Sequence, residues 1–297
     1  MNNPTSDTTT NPAAFDRPDG ASAIIPAGLD AVLVLLRHGE TDFIVQKRFQ
    51  GQMEAPLSPA GEIQASFAGR RLAAPHDSPP LPVPGGPALE IVHSPLARTR
   101  RTTELVVEAM RAAGQPVPPL VSEPGLAEIA QGGWEGLRDD EITARFGNQL
   151  AGWRRWPARV HAEGGESLLQ VSERVEAALQ RILGRLAVGG QAGSIDRHQV
   201  LGYEDGAVDR RRWSILVGHG GSFRVVTLLL LGLPLEHFWN FDFALGSITV
   251  VEIRAGRAVL RAVNLDSHLA PEPDAEAAGE AERIAAESSE RGASGAL

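Results

Sequence analysis

Val32-Leu33-Val34-Leu35-Leu36-Arg37-His38-Gly39-Glu40-Thr41 decides how this chain is read: an apolar run opening at Ala31 breaks abruptly into a cation, an imidazole and a glycine. Unbroken Ala, Val and Leu over residues 31–36 describe a strand buried on both faces, the kind found in a parallel sheet covered by helices. In such sheets ligands bind beyond the carboxyl ends of the strands. An Arg beside a His at that point suits a phosphate ester, because the guanidinium fork matches phosphate oxygens and an imidazole can attack phosphorus. Gly39 is expected to let the backbone come close to the ligand.

The chain has 297 residues, 42% of them hydrophobic, enough for a sizeable core without staples. It contains no Cys, which excludes disulfides, thiolate catalysis, Cys-based zinc sites and iron–sulfur clusters. Residues 1–30 lack the basic start and apolar core of a signal peptide. The longest apolar run, residues 225–233, is interrupted by Thr227 and Gly232 and is too short to span a bilayer. The expectation is a cytoplasmic protein with no membrane partner. The net charge of −9 is concentrated at the ends: residues 271–297 hold seven acids against two Arg, and residues 1–28 three Asp against Arg17. A nearly neutral centre without a basic stripe argues against nucleic acid as a partner.

Organisation follows the same composition. Residues 1–28 and 271–297 have the makeup of disordered tails around one domain at 29–270. Strands are expected at 31–36, 90–93, 120–122, 214–218, 247–253 and 258–264, with helices between most of them. Ser58-Pro59 fits a helix start, with Ile63, Phe67 and Leu72 along one side. Ser167 to Gln170 fits a capping box, after which Val171, Val175, Leu179, Ile182 and Leu186 recur at helical spacing. Residues 75–87 read as a surface loop, and 189–212 as an excursion without periodicity. The fold class these elements imply is α/β, a three-layer α/β/α sandwich with a mostly parallel central sheet.

Leu36 to Thr41 resembles the signature of the histidine phosphatase superfamily, the phosphoglycerate mutase-like family, and further segments match that family in order. Gln50-Gly51-Gln52 resembles the segment closing one side of its phosphate pocket, with Arg48 and Gln50 as candidate donors. His93-Ser94-Pro95-Leu96-Ala97-Arg98 matches its Ser-Pro-Leu-x-Arg pattern, which implies Arg98 as a second phosphate clamp beside Arg37, near a helix N-terminus that also favours an anion. Leu126-Ala127-Glu128-Ile129 followed by Gly133-Trp134-Glu135-Gly136 places Glu128 as the proton donor and Glu135 as structural. Ser214 to Gly221 repeats the strand-then-His-Gly pattern, with His219 implied as a protonated donor to a phosphoryl oxygen and Gly220 beside it. One departure stands out: relatives often carry Trp-Asn where this chain has Phe43-Ile44.

The resemblance implies a metal-independent phosphomonoesterase without a cofactor, in which His38 forms a phosphohistidine on a small phosphorylated metabolite. A phosphoglycerate-type mutase and a non-catalytic phospho-ligand binding protein remain alternatives, although residues 127–136 look like the phosphatase branch. The cations of Trp153-Arg154-Arg155-Trp156-Pro157-Ala158-Arg159-Val160-His161 are candidates for a second acidic group on the substrate. No serine-hydrolase elbow, Walker loop or His-Glu-x-x-His helix is present. The sequence assigns no oligomeric state; a dimer is one alternative.

Overall fold

The computed structural model describes residues 22, 24–188, 209 and 211–269. Side chains alternate across a strand, and the first strand, β1 (Ala31–Arg37), sends Val32, Val34 and Leu36 into one apolar cluster and Leu33 and Leu35 into another. Both faces are therefore covered, as its unbroken apolar run requires. The further strands are β2 (Ile91–His93), β3 (Leu120–Ser122), β4 (Arg212–Gly218), β5 (Ile248–Arg254) and β6 (Arg257–Leu265). They form one six-stranded sheet in the order β3-β2-β4-β1-β5-β6. The first four strands are mutually parallel, while β5 runs antiparallel to β1 and β6 antiparallel to β5.

The helices are α1 (Asp42–Val45), α2 (Pro59–Ala73), α3 (Ala97–Ala112), α4 (Asp139–Arg155), α5 (Leu168–Ala187) and α6 (Gly220–Leu231). Ala68 and Leu72 of α2 and Val106 and Met110 of α3 pack on one face of the sheet. Val171, Val175 and Leu179 of α5 and Val225 and Leu228 of α6 pack on the other, which completes the expected three layers. The capping box of α5 forms as read: Ser167 Oγ accepts from Gln170 N at 3.3 Å and Gln170 Oε1 accepts from Ser167 N at 2.9 Å.

Of Ile63, Phe67 and Leu72, expected along one side of α2, Leu72 alone is buried. Ile63 is 57% exposed, and Phe67 lies under the Arg70 guanidinium with 4.4 Å between them. The buried face is Gly61, Ala65, Ala68, Gly69, Leu72 and Ala73. Small residues win because α2 and α3 are nearly in backbone contact: a Cβ on Gly69 would lie 2.9 Å from Leu105 O. At the other end of α2, a Cβ on Gly61 would lie 1.9 Å from Glu40 O, and one on Gly39 2.3 Å from Gly61 O. The close approach that Gly39 permits is thus to the start of α2. Gly61→Ala must push backbone against backbone, so it is expected to destabilise at or above the upper end of the about 1–3 kcal/mol usual for overpacking. A lowered urea midpoint at unchanged m-value checks this.

Three boundaries differ from expectation. Ile24 and Ile25, placed in the tail 1–28 by composition, are buried in the core, and Ser22 Oγ donates to Leu229 O at 2.7 Å. Two apolar residues in a polar context are too few for composition to register. Residues 75–87 lack regular structure as read, yet Leu81 and Val83 are buried against the α2–α3 side. Of the excursion at 189–212, residues 189–208 and 210 lie outside the described residues, and Arg212 already belongs to β4. Residues 270–297 also lie outside them. Among the described residues no helix is long and apolar enough to cross a membrane.

The topology creates the site. β1 and β4 are parallel neighbours with Arg37 paired to Gly218, so His38 and His219 leave the sheet side by side. Because β5 is antiparallel to β1, it begins where β1 ends: Arg37 N donates to Ser247 O at 3.2 Å and Gly246 N to His38 O at 3.2 Å. The residues just before β5 therefore border the same edge.

Candidate active site

His38 is 2% exposed, and its ring lies edge-on to that of His219 with 5.1 Å between centroids. His38 Nδ1 is 2.6 Å from Gly39 O. A carbonyl can only accept, so Nδ1 carries the proton and Nε2 keeps its lone pair. Burial, then the charges of Arg98 and Arg37, hold the His38 pKa well below the ordinary 6.5. The result is a neutral imidazole with a defined tautomer and one nucleophilic nitrogen.

Two guanidiniums flank this pair. Arg98, near the start of α3, is 1% exposed and held at each nitrogen: Nη2 donates to Gly51 O at 2.7 Å, Nη1 to Met53 O at 3.0 Å, and Nε to His219 Nδ1 at 3.2 Å, which leaves one N–H on each Nη. Arg37 donates from Nη1 to Phe243 O, while its Nε is buried without a protein partner. An orphaned buried donor is costly, and an anionic oxygen would satisfy it. Burial lowers the pKa of both arginines, with the Glu128 carboxylate opposing.

Glu128 closes the site from the loop after β3. Its carboxylate sits at the N-terminus of α6, accepting from Ile129 N at 2.9 Å, Ser222 N at 3.0 Å and Gly221 N at 3.1 Å. Helix N-termini attract anions because their first N–H groups lack intrahelical partners. Gly221 is required here, since a Cβ would lie 2.4 Å from Glu128 Oε1. Gly220 carries the first-turn N–H not taken by Glu128, and the Arg37 guanidinium carbon would lie 3.3 Å from a Cβ on it. A nucleophilic imidazole, two cations and a carboxyl group at neighbouring strand ends can bind, transfer and release a phosphoryl group.

The family model described as the histidine phosphatase superfamily, branch 1, matches residues 33–189 and 203–266 of the chain. The chain belongs to this superfamily. Phosphoserine phosphatase 1 of Hydrogenobacter thermophilus is 26% identical over 80% of the chain and 93% of that protein. Glucosyl-3-phosphoglycerate phosphatase of Mycolicibacterium vanbaalenii is 31% identical over 74% of the chain and 83% of the relative. A 2,3-bisphosphoglycerate-dependent phosphoglycerate mutase of Methylobacterium is 29% identical over 78% and 95%. Among solved structures, a mycobacterial glucosyl-3-phosphoglycerate phosphatase in complex with VO3 aligns with a TM-score of 0.60 at 26% identity, covering 78% of this chain and 98% of the other.

The structure brings His38, Arg37, Arg98, Glu128, His219 and Gly220 of this superfamily member together, but corrects several details. The resemblance implies His219 as a protonated donor to a phosphoryl oxygen, and the geometry gives it a donor proton without a charge. Arg98 Nε donates to its Nδ1, so the proton sits on Nε2, 2.8 Å from Ser94 Oγ. Burial, then Arg98, His38 and Arg37, lower its pKa well below 6.5 and keep it neutral. Arg48 is turned away from the site: it donates to Gly136 O at 2.7 Å and Gln46 Oε1 at 2.9 Å and faces Glu141. Gln50 uses Oε1 to accept from Thr41 Oγ1 at 2.8 Å, which leaves its amide nitrogen for other partners. The N-terminal Ala97 N–H of α3 is taken by Glu54 at 2.7 Å, so it is not a ready anion donor. Ile44 lies half-buried on α1. Glu135 is structural as read, accepting from Gln131 N at 2.8 Å and Gln52 N at 3.0 Å.

Among the cations at 153–161, Arg154 pairs with Asp139 and Arg155 stacks on Trp156 at 4.8 Å. Arg159 and His161 line an open cavity of about 470 Å³ with Gln149 and Glu163. Ser94 and the Phe243 carbonyl are site groups that residue type alone does not single out.

Both buried histidines make stability depend on pH. Their folded pKa values lie below the unfolded value near 6.5, so the unfolded chain takes up protons first as pH falls. Their contribution is therefore complete above 6.5 and is lost progressively below it, toward the lowered folded values, at up to about 1.4 kcal/mol per pH unit for each histidine. Urea midpoints measured from pH 7.5 down to 5 should fall, and the fall should be shallower in a folded His219→Gln variant.

Proposed function

We propose that this protein hydrolyses phosphate monoesters through a phosphohistidine on His38, without a metal ion. The observation that carries the reading is the geometry of His38: Nδ1 lies 2.6 Å from Gly39 O, which leaves the Nε2 lone pair for phosphorus, while the charges of Arg98 and Arg37 act on the ring. Nε2 attacks phosphorus and the ester P–O bond breaks, with Glu128, once it holds the proton that a monoanionic ester brings, delivering that proton to the leaving oxygen. Water then attacks the phosphohistidine, the P–N bond breaks, Glu128 takes the proton from water, and inorganic phosphate leaves. Arg37 and Arg98 spread their charge over the transferring oxygens throughout. Neutral His219 carries its proton on Nε2 and can donate it to a phosphoryl oxygen without gaining a charge. Two of the similar proteins are named as phosphatases, which supports hydrolysis as the reaction.

Glu128→Gln separates the acid from the clamp. Loss of a general acid costs about 10²- to 10⁴-fold when the leaving group is poor. Glu128→Gln is therefore expected to impair hydrolysis of alkyl and sugar phosphates far more than that of nitrophenyl phosphate, whose leaving group needs no proton. Equal losses on both would remove Glu128 from the role.

The mutase relative supports a second reading, isomerisation of phosphoglycerate on the same residues. A mutase must keep water from the phosphohistidine until it is returned to the substrate. Bisphosphate-dependent isomerisation outpacing phosphate release would favour it. Phosphate release from phosphoserine, glucosyl-3-phosphoglycerate and phosphoglycerates, with His38→Ala as control, tests the hydrolase directly.

A further inference from the structure

We propose that Arg174 and Glu166 are positioning residues that hold the Glu128 segment against the N-terminus of α6. This rests on the role of Glu128 as proton donor set out above. Arg174 stands on α5, and Glu166 just ahead of that helix. They form a two-pronged pair, Nε to Oε1 at 2.7 Å and Nη2 to Oε2 at 2.8 Å.

Arg174 spends its three remaining N–H groups on one stretch of chain. Arg174 Nη1 donates to Gly125 O and Ala127 O, each at 2.8 Å, and Nη2 to Glu128 O at 3.0 Å. Glu166 Oε2 accepts from Ala130 N at 2.8 Å and from Gln52 Nε2 at 3.3 Å. Gln52 Nε2 also donates to Glu128 O at 3.0 Å, which ties the segment to the loop whose carbonyls hold Arg98. The backbone on both sides of Glu128 is thus fixed, from residue 125 to residue 130.

This matters because the segment has almost no regular structure to hold it. Only a single 3-10 turn, Pro124–Leu126, precedes Glu128. The carboxylate must nevertheless reach two N–H groups of α6 across a gap closed by Gly221. Arg suits this position because its planar fork serves a carboxylate and three carbonyls at once, which a lysine ammonium cannot do. Both charges are paired: burial would raise the Glu166 pKa, but the Arg174 bonds and the Ala130 N–H outweigh it and lower it.

If the pair acts through Glu128, its loss must look like a loss of proton donation. Arg174→Met and Glu166→Gln are expected to lower kcat on an alkyl phosphate by about 10²-fold, the cost of misplacing a catalytic group by an ångström, with KM little changed. The loss on nitrophenyl phosphate should be much smaller. Arg174→Met added to Glu128→Gln should cause no further loss on the alkyl ester, because coupled residues are not additive. Arg174→Lys, which keeps the charge without the fork, should show the same leaving-group asymmetry in milder form and covers the case in which Arg174→Met fails to fold. Equal losses on both esters, or additive losses in the double variant, would overturn the inference while wild-type hydrolysis and its dependence on His38 stand. Wild-type protein that releases no phosphate would overturn the underlying reading and the inference together.

Discussion

Replacing His38 with Ala is expected to abolish phosphate release from every monoester the protein accepts, while the chain still folds. Losing a covalent nucleophile removes a step with no substitute in the site, and in enzymes of this kind the cost is on the order of 10⁶-fold in kcat. His219 cannot take over. Its Nδ1 lone pair is engaged by Arg98, and its Nε2 carries a proton shared with Ser94. Folding should survive because the His38 side chain hydrogen-bonds to the neighbouring Gly39 O and touches a distant part of the chain through its ring contact with His219, and a buried group that resists protonation is removed with it. Two measurements check the result. Label from a ³²P-substrate, quenched in alkali where phosphohistidine persists, should stay on wild-type protein and be absent from His38→Ala. Folded His38→Ala protein that turns over substrate at a measurable fraction of the wild-type rate would place the nucleophile elsewhere.

The sequence discloses the site because its main residues sit where one kind of structure changes into another. Arg37-His38 closes β1, His219 follows β4, and Arg98 follows β2, so the end of a strand announces each one. The layers are legible for the same reason: strands buried on both faces need helices on both sides. What cannot be read depends on partners far apart in the chain. A strand-like run such as residues 248–253 does not say that it will lie antiparallel to β1, and only that choice brings the Phe243 carbonyl to Arg37. Hydrophobicity points to the wrong side of α2 because Gly69 and Ala68 outcompete Ile63 when two backbones meet, and hydrophobicity scales do not register close approach. Arg48 has the right residue type and neighbourhood, but its direction is set by a carbonyl at Gly136. The charge state of His219 is hidden because an isolated imidazole gives no sign that Arg98 will donate to it.

Arg98 should be the substitution in which activity and stability fall together. Its guanidinium is almost fully buried and joins three parts of the chain: the 51–53 loop through two carbonyls, α3 on which it stands, and His219 at the head of α6. Arg98→Met matches the side-chain length but leaves Gly51 O, Met53 O and His219 Nδ1 without their donor. Each buried acceptor so stranded costs about 1–3 kcal/mol, so about 3–9 kcal/mol is the range for the three, and the lower half of it is expected where water enters. Arg98→Lys keeps a charge but offers one compact donor group in place of the fork, and should lose less stability than Arg98→Met. Both should lose about 10²- to 10³-fold in kcat/KM, the usual cost of removing a preorganised donor from a site of developing charge. The titration of His219 provides an independent sign. Burial is the largest cause of its lowered pKa and persists in the variant, whereas the Arg98 charge comes second and is removed in Arg98→Met, so the pKa must rise part of the way toward 6.5. Urea unfolding, phosphate release and imidazole NMR titration follow the three effects separately. A folded Arg98→Met protein with wild-type stability and wild-type kcat/KM would mean that the carbonyls holding this guanidinium keep it in place for neither folding nor chemistry.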